Sequence, residues 1–330
     1  MAETVVIVGA GIIGCAIARE LAVRGVACAV VDDRAVGGGA TQASAGILAP
    51  HVEAHEGGPL LDLGVRSLEL YDAWIAAVRG ESGLDVEYRR IGTLETGGNH
   101  ADRTVAEHGY VAPAQLTAAL ARSAEGRGAV FHRARVQRVE PGADFLRVIT
   151  TTAAVDARHV VLAAGAWTNA IAGVPTPPLR PVRGQILRLE WPGSPLSRIV
   201  WGPNCYVVPR LDGSILVGAT VEDAGFDERT TEAGIQGLLD AVHELLPDTK
   251  SARLIEARVG LRPATPDELP VIGPDPRVPG LIHASGHYRN GVLLAPITAK
   301  LVADWIIEGK ADPGLRAFRP DRFLPHVPTA

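Results

Sequence analysis

The order of its sequence patterns predicts an α/β chain in which a Rossmann-like domain is interleaved with a second, antiparallel-sheet α+β domain. Three observations carry that expectation. The apolar run Thr4 to Val8 leads into Gly9-Ala10-Gly11-Ile12-Ile13-Gly14, and a second run, Cys28 to Val31, ends on Asp32. Between Leu187 and Thr220 the apolar pattern changes to period two, as in a half-buried antiparallel sheet. The fully apolar run His159 to Ala163 precedes that change, ends in Ala164-Gly165, and suits a strand returning beside the first.

The first two runs and the glycine turn read as strand, turn, helix and strand, the entry of a dinucleotide-binding βαβ unit. Gly9 allows the tight turn, Gly11 lets the backbone approach a pyrophosphate, and Gly14 lets the helix pack closely on the strand. Asp32 is placed to accept from a ribose hydroxyl. The crossover helix is expected over Ile12 to Arg24, stopping at Gly25. Gly37 to Gly46 is too rich in glycine and small residues for a regular element and is expected to be a loop approaching a ligand. Helices follow at Leu60 to Val78 and Pro113 to Gly126, with short strands at Ala129 to Phe131, Arg135 to Val139 and Leu146 to Thr151. Tyr206 to Pro209 and Ser214 to Gly218 bracket Leu211-Asp212-Gly213 as an antiparallel hairpin. Gly234 to Leu246 returns to helix, and Gly291 to Glu308 forms the last one, with Pro296 inside its first two turns. The chain thus leaves the nucleotide-binding fold and returns to it. The expected division is 1–50, 112–175 and 253–330 for the nucleotide-binding domain, and 51–111 and 176–252 for the other.

With 330 residues the chain can bury a substantial core, and with 47% apolar but only 5% aromatic residues that core must be aliphatic. The formal charge of -5 is spread along the chain, and Lys250, Lys300 and Lys310 are the only lysines, so no basic stripe suggests nucleic acid. The longest apolar stretch, Thr4 to Ala18, is broken by glycines and is the βα turn itself, so no membrane span is expected. Met1-Ala2-Glu3 lacks the basic start of a secretory signal, and a cytoplasmic protein is expected. Cys15, Cys28 and Cys205 show no CxxC spacing and the histidines no HExxH, so no metal is expected. Cys15 and Cys28 read as small buried hydrophobes.

A nicotinamide dehydrogenase would be expected to continue with regular βα units after Asp32. This chain instead places the small-residue loop there. The first turn could hold a pyrophosphate and ADP half while Ser44-Ala45-Gly46 lies along an isoalloxazine ring, whose close approach would explain the lack of side chains. Gly286-His287-Tyr288-Arg289-Asn290-Gly291 then feeds a helix start, where free N–H groups would suit the electron-rich edge of a reduced flavin. An ordinary turn before a helix is the competing reading of that loop. FAD is the expected cofactor.

Five blocks make the resemblance specific: 39–50, 205–210, 218–222, 260–263 and 286–291. Together they resemble the glycine oxidase branch of the D-amino-acid oxidase flavoprotein family, in order and over nearly the whole chain. The resemblance implies FAD held by Ile12, Ile13, Asp32, Asp33, Ala40, Thr41, Ala45, Gly46, Ile47, Val136 and the loop His287, Tyr288, Arg289, Asn290, Gly291, Val292 and Leu293. With Gly9, Gly11, Gly14, Ala164 and Gly165 these are the expected cofactor residues. It also implies that Arg262 grips a substrate carboxylate, that Tyr206 stands over the flavin and that Arg289 lies at the substrate's edge. The implied reaction is oxidation of glycine, sarcosine or a small D-amino acid, by hydride transfer to flavin N5 and reduction of O2 to H2O2, with a link to thiamine biosynthesis. A homo-oligomer fits relatives of this kind.

Alternatives stand beside each role. Arg262 could pair with Asp267 or Glu268 and pin a loop, Tyr206 could be a plain strand aromatic, and Arg289 could cap its own loop. The same fold could pass electrons to a quinone, or hold FAD without turnover. Two departures from the family pattern bear on detail: Asn204 stands where a histidine is expected, and the tract from Leu94 to Tyr110 is shorter than usual, which would leave a more open site.

Overall fold

A computed structural model describes residues 3–54, 57–97, 101–191 and 193–324. Among the described residues the strands form three sheets. The first is built on strand Glu3–Val8, flanked in parallel by Cys28–Asp32 and Ala154–Leu162. Val130–Arg133 continues it beyond Cys28–Asp32, and Leu281–Ser285 beyond Ala154–Leu162, both in parallel. The expected return strand therefore lies where its apolar pattern placed it, with Val8 opposite Leu162. It is longer than expected because its exposed N-terminal half pairs antiparallel with Leu146–Thr150 outside the main layer.

The helices Ile12–Val23, Pro113–Glu125 and Ala295–Glu308 pack on this sheet in an aliphatic core with the long helix Pro59–Ser82. Cys15 and Cys28 are buried there. The last helix begins at Ala295 and not at Gly291, since 291–294 is a turn. Pro296 thus falls in the first turn, where its missing N–H leaves no hydrogen bond unmade. Within Gly37 to Gly46, expected to be irregular throughout, Ala40–Ala43 winds into one 3-10 turn.

The second sheet is antiparallel apart from one pairing, in the order Leu254–Ala264, Arg180–Glu190, Ser214–Gly218, Tyr206–Pro209, Ile199–Trp201, Thr93–Glu95, Arg103–Val105. The hairpin Tyr206–Pro209 and Ser214–Gly218 matches the period-two reading residue for residue. Leu254–Ala264 corrects the boundary expected at 253: this strand pairs with Arg180–Glu190 and so belongs to the antiparallel sheet. The pattern hid both strands because each runs 11 residues with backbone-lining glycines, Gly184 and Gly260, at the centre. The short tract from Leu94 folds as a hairpin whose first strand runs parallel to Ile199–Trp201, while 98–100 lie outside the described residues. No helix among the described residues is long and apolar enough to cross a membrane.

Gly9 shows how the sequence fixes the junction. Its φ is +113°, and a Cβ there would lie 2.4 Å from the Ala163 carbonyl oxygen. Replacing Gly9 with Ala should cost about 2–5 kcal/mol, from left-handed strain plus a backbone clash, read as a lowered urea midpoint and lost flavin.

Candidate functional site

A single cavity of about 1120 Å³ runs from the glycine turn, between the two larger sheets, to Tyr206 and Arg262. That exceeds the ~300–1,000 Å³ of ordinary ligand pockets and suits a dinucleotide plus a small substrate. At one end Asp32 closes the first turn: Ala10 N–H donates to Oδ2 at 2.7 Å and Arg34 N–H to Oδ1 at 2.8 Å. Each oxygen keeps a second lone pair for a ribose hydroxyl. Thr41 Oγ1 accepts from Ile12 N–H at 3.2 Å, tying the small-residue loop to the helix start. Gly14 packs on the turn, since a Cβ there would meet the Gly9 carbonyl oxygen at 1.9 Å.

Further along, Gly46 has φ +71° and a Cβ there would lie 1.9 Å from Val111 O. Arg210 donates to Ala45 O at 2.8 Å and holds the same loop from below. Gly260 carries the loop across to the second sheet, because a Cβ there would crowd Ala43 and Ala40 at 2.9 and 3.1 Å. Such a wall of backbone without side chains fits a flat ring system lying against it. The residues present therefore fit FAD.

The loop from Gly286 brings His287, Tyr288, Arg289, Gly291 and Val292 to the cavity. Tyr288, at φ +47°, donates its N–H to Pro263 O at 2.9 Å and so links this loop to the strand of Arg262. His287 is buried against Thr298 Oγ1 at 3.1 Å, and burial holds its imidazole down to about 3. His108, also buried, is held to about 4 by burial and then by His51, whose Nδ1 is 3.1 Å from its Nε2. Both are neutral when folded yet protonate near an ordinary pKa of about 6.5 when unfolded. The unfolded chain then binds more protons, so their contribution to stability is full above about pH 6.5 and shrinks as the pH falls toward about pH 4. Urea midpoints should drop across that window, and His108→Gln should flatten the drop.

Arg262, Tyr206 and Arg289 line the far end. Arg262 Nη1 donates to Thr220 O at 3.0 Å, and among the described residues no carboxylate pairs with the guanidinium. Asp267 is taken by Arg322 at 2.8 Å, which removes one of the loop-pinning alternatives, and Arg262 forms no ion pair with Glu268 either. The guanidinium lies flat over Gly184: a Cβ there would be 2.1 Å from Nη1 and 2.3 Å from Cζ. Tyr206 bends over its register partner Gly218 in the same way, its hydroxyl 2.4 Å from where a Cβ would stand. Burial pushes the Tyr206 hydroxyl up, with Arg262 opposing, so it stays a neutral donor at physiological pH. Trp201 packs on its ring with centroids 5.2 Å apart. Arg289 Nε lies 3.2 Å from Glu53 Oε2, so it pairs across to another element and does not cap its own loop.

The cavity gathers nearly all the expected residues. Asp33, paired with Arg135 at 2.6 Å, lines it too, as do Ile13, Ala40, Ile47, Val136, Ala164 and Gly165. Gly14, Asn290 and Leu293 do not reach it. Asn290 is buried in the turn, its N–H on His287 O at 2.8 Å, and Leu293 is core, its carbonyl accepting from Ser67 at 2.6 Å. Sequence reasoning missed Glu53, Gly184 and the clasp at the mouth. In that clasp Arg34 stacks 3.9 Å over Trp167 and bonds Glu228 through two 2.8 Å contacts. Gly184 carried a readable signal, a glycine amid a buried apolar run, which in a strand marks close approach of another group. Glu53 and Glu228 carried none, since their partners are remote in sequence.

The pattern of the family described as FAD dependent oxidoreductase matches residues 4–108 and 104–305. The chain belongs to this family. Among curated relatives, the bifunctional protein ThiO/ThiG of Nostoc sp. is 38% identical over 98% of this chain and 55% of its own length. The chain thus spans about half the length of the first curated relatives it matches. The glycine oxidase of Bacillus licheniformis is 31% identical over 92% of both chains. The crystal structure of glycine oxidase from Geobacillus kaustophilus superposes with a TM-score of 0.94 at 30% identity, covering 98% of this chain and 100% of that one.

Proposed function

We propose that the chain is an FAD-dependent amine oxidase acting on glycine, sarcosine or a small D-amino acid. The observation that carries this reading is the Arg262 guanidinium, held flat over Gly184 without a carboxylate partner among the described residues, at the end of a cavity that fits FAD. A fork of parallel donors in that position binds a substrate carboxylate and fixes its orientation as well as its charge. The similarity to glycine oxidases over most of their length supports the same substrate class.

Bound FAD would supply the two-electron acceptor, taking hydride from the substrate carbon at N5 and passing the electrons to O2 to give H2O2. The chain's own residues then have a positioning task. Arg262 anchors the carboxylate, and neutral Tyr206 walls the pocket and donates one hydrogen bond. Trp201, packed on the Tyr206 ring, keeps water from one side of the pocket. The amine must react unprotonated, so it loses its proton to solvent before the step, and the imine product hydrolyses to a 2-oxo acid with release of ammonia, or of methylamine from sarcosine. Glycine imine for thiazole assembly is the use that the bifunctional relatives suggest. We assign the strand Leu254–Ala264 to the substrate part and the helix Pro59–Ser82, which packs in the core of the first sheet, to the nucleotide-binding part.

Purified holoprotein tested without oxygen decides the matter. Addition of glycine, sarcosine or D-alanine should bleach the flavin absorption, and air should restore it with release of peroxide. A flavin that stays oxidised with all of them overturns the reading. Bleaching with slow reoxidation by air but fast reoxidation by a quinone would replace the oxidase with a dehydrogenase.

A further inference from the structure

Among the described residues the charged side chains lining the cavity around Tyr206 are Arg262, Arg289 and Glu53, while Arg210 acts on Tyr206 from outside the lining. Arg262 meets a backbone carbonyl and no carboxylate, whereas Arg289 has its Nε 3.2 Å from Glu53 Oε2. The acid is the more buried partner, its side chain 16% exposed against 41% for Arg289. It sits at the end of the short helix Pro50–Glu53, across the pocket mouth from the loop of Arg289. With Arg289 paired to Glu53, Arg262 is the lining cation left facing the cavity without a carboxylate, and it matches one carboxylate. Resting on the amine-oxidase reading, we propose that Glu53 is a specificity-determining residue: by occupying Arg289 it restricts the pocket to amines with a single carboxylate.

A substrate with a second carboxylate would have to place it near Arg289, where Glu53 already stands. Like charges brought together in a partly desolvated site exclude the wrong ligand more strongly than a missing contact would. With Glu53 neutral, the pocket carries two positive groups, and the Arg289 fork is free to take the distal carboxylate. A pair that merely pins the short helix to the loop predicts something else: its loss would loosen the mouth and weaken all ligands evenly.

The test compares holoenzyme and Glu53→Gln with glycine and with iminodiacetate, an amine with two carboxylates. The ratio of kcat/KM for iminodiacetate over glycine should rise about tenfold or more in Glu53→Gln. The gain should vanish in Glu53→Gln/Arg289→Gln, because the two residues act as one unit. Equal changes for both substrates, or a gain that survives in the double variant, overturn the proposal. Titration of the flavin absorption with acetate against malonate, succinate and glutarate asks the same question without turnover. The dicarboxylate preference should rise in Glu53→Gln and fall in Arg289→Gln, where the distal guanidinium is gone and the Glu53 carboxylate stays. An unchanged or opposite preference in either variant also overturns it. Failure to oxidise glycine would sink the oxidase reading, while the inert acids would still decide the role of Glu53.

Discussion

Arg262→Ala should lower kcat/KM for glycine by about 10²- to 10³-fold, mostly through KM, with the flavin still bound and its spectrum little changed. The size follows from geometry. The guanidinium contacts only Thr220 O and the bare backbone at Gly184, so its removal costs the fold one hydrogen bond while the substrate loses its charge partner. Lysine at the same place keeps the charge but offers no planar fork, and should recover only part of the loss. Because the anchor also sets the direction of the reacting C–H bond, kcat should fall as well, by less than KM rises. Steady-state kinetics on holoprotein, with the flavin content measured alongside, checks each part. Loss of flavin in Arg262→Ala would instead assign the residue to the scaffold.

Gly184→Ala should rank second, lowering kcat/KM by about 10²-fold while leaving every substrate-contacting residue in the sequence. A methyl group at this position would lie 2.1 Å from Arg262 Nη1, 2.3 Å from Cζ and 2.4 Å from Nη2, and real atoms cannot approach so closely. The side chain is the far end of a flexible arm, so it would swing aside and leave the strand pairing of Arg180–Glu190 with Leu254–Ala264 intact. The thermal midpoint should therefore move little while KM climbs toward that of Arg262→Ala. A double variant tells the two effects apart: once Arg262 is Ala, adding Ala at 184 should cost almost nothing further. An additive loss would mean that Gly184 serves the sheet and not the arginine.

The nucleotide-binding half was legible because its signals are local. Gly9, Gly11 and Gly14 sit within one turn of chain, and the strands beside them are continuous apolar runs, so spacing alone carried the topology as far as Leu162. The antiparallel sheet was legible only at its hairpin, where Leu211-Asp212-Gly213 joins neighbours in sequence. Its long strands were not, because Leu254–Ala264 pairs with Arg180–Glu190 from far along the chain, and burial on one face is diluted there by glycines and charged residues. The site divides the same way. Asp32 and the small-residue loop were readable from residue type, and Arg262, Tyr206 and Arg289 from family likeness. Glu53 and Gly184 were not, since an acid pairing with a remote arginine and a glycine yielding room to one leave no periodic trace. Asn290 and Leu293, expected with the rest of that loop, are turned inward and lie outside the cavity lining.

One strand touches both reactants. Gly260 lies against Ala40 and Ala43 of the cofactor loop, while Arg262 stands two residues on, on the same face because side chains alternate. The separation between the flavin wall and the carboxylate anchor is thus about 7 Å of extended backbone. Within the strand that length is set by covalent bonds, and the packing of Gly260 on Ala40 and Ala43 carries it across to the cofactor loop. Breathing between the halves would be felt first at that packing, whereas substrate range can drift at Glu53 and Asn204, which line the cavity and take no part in it.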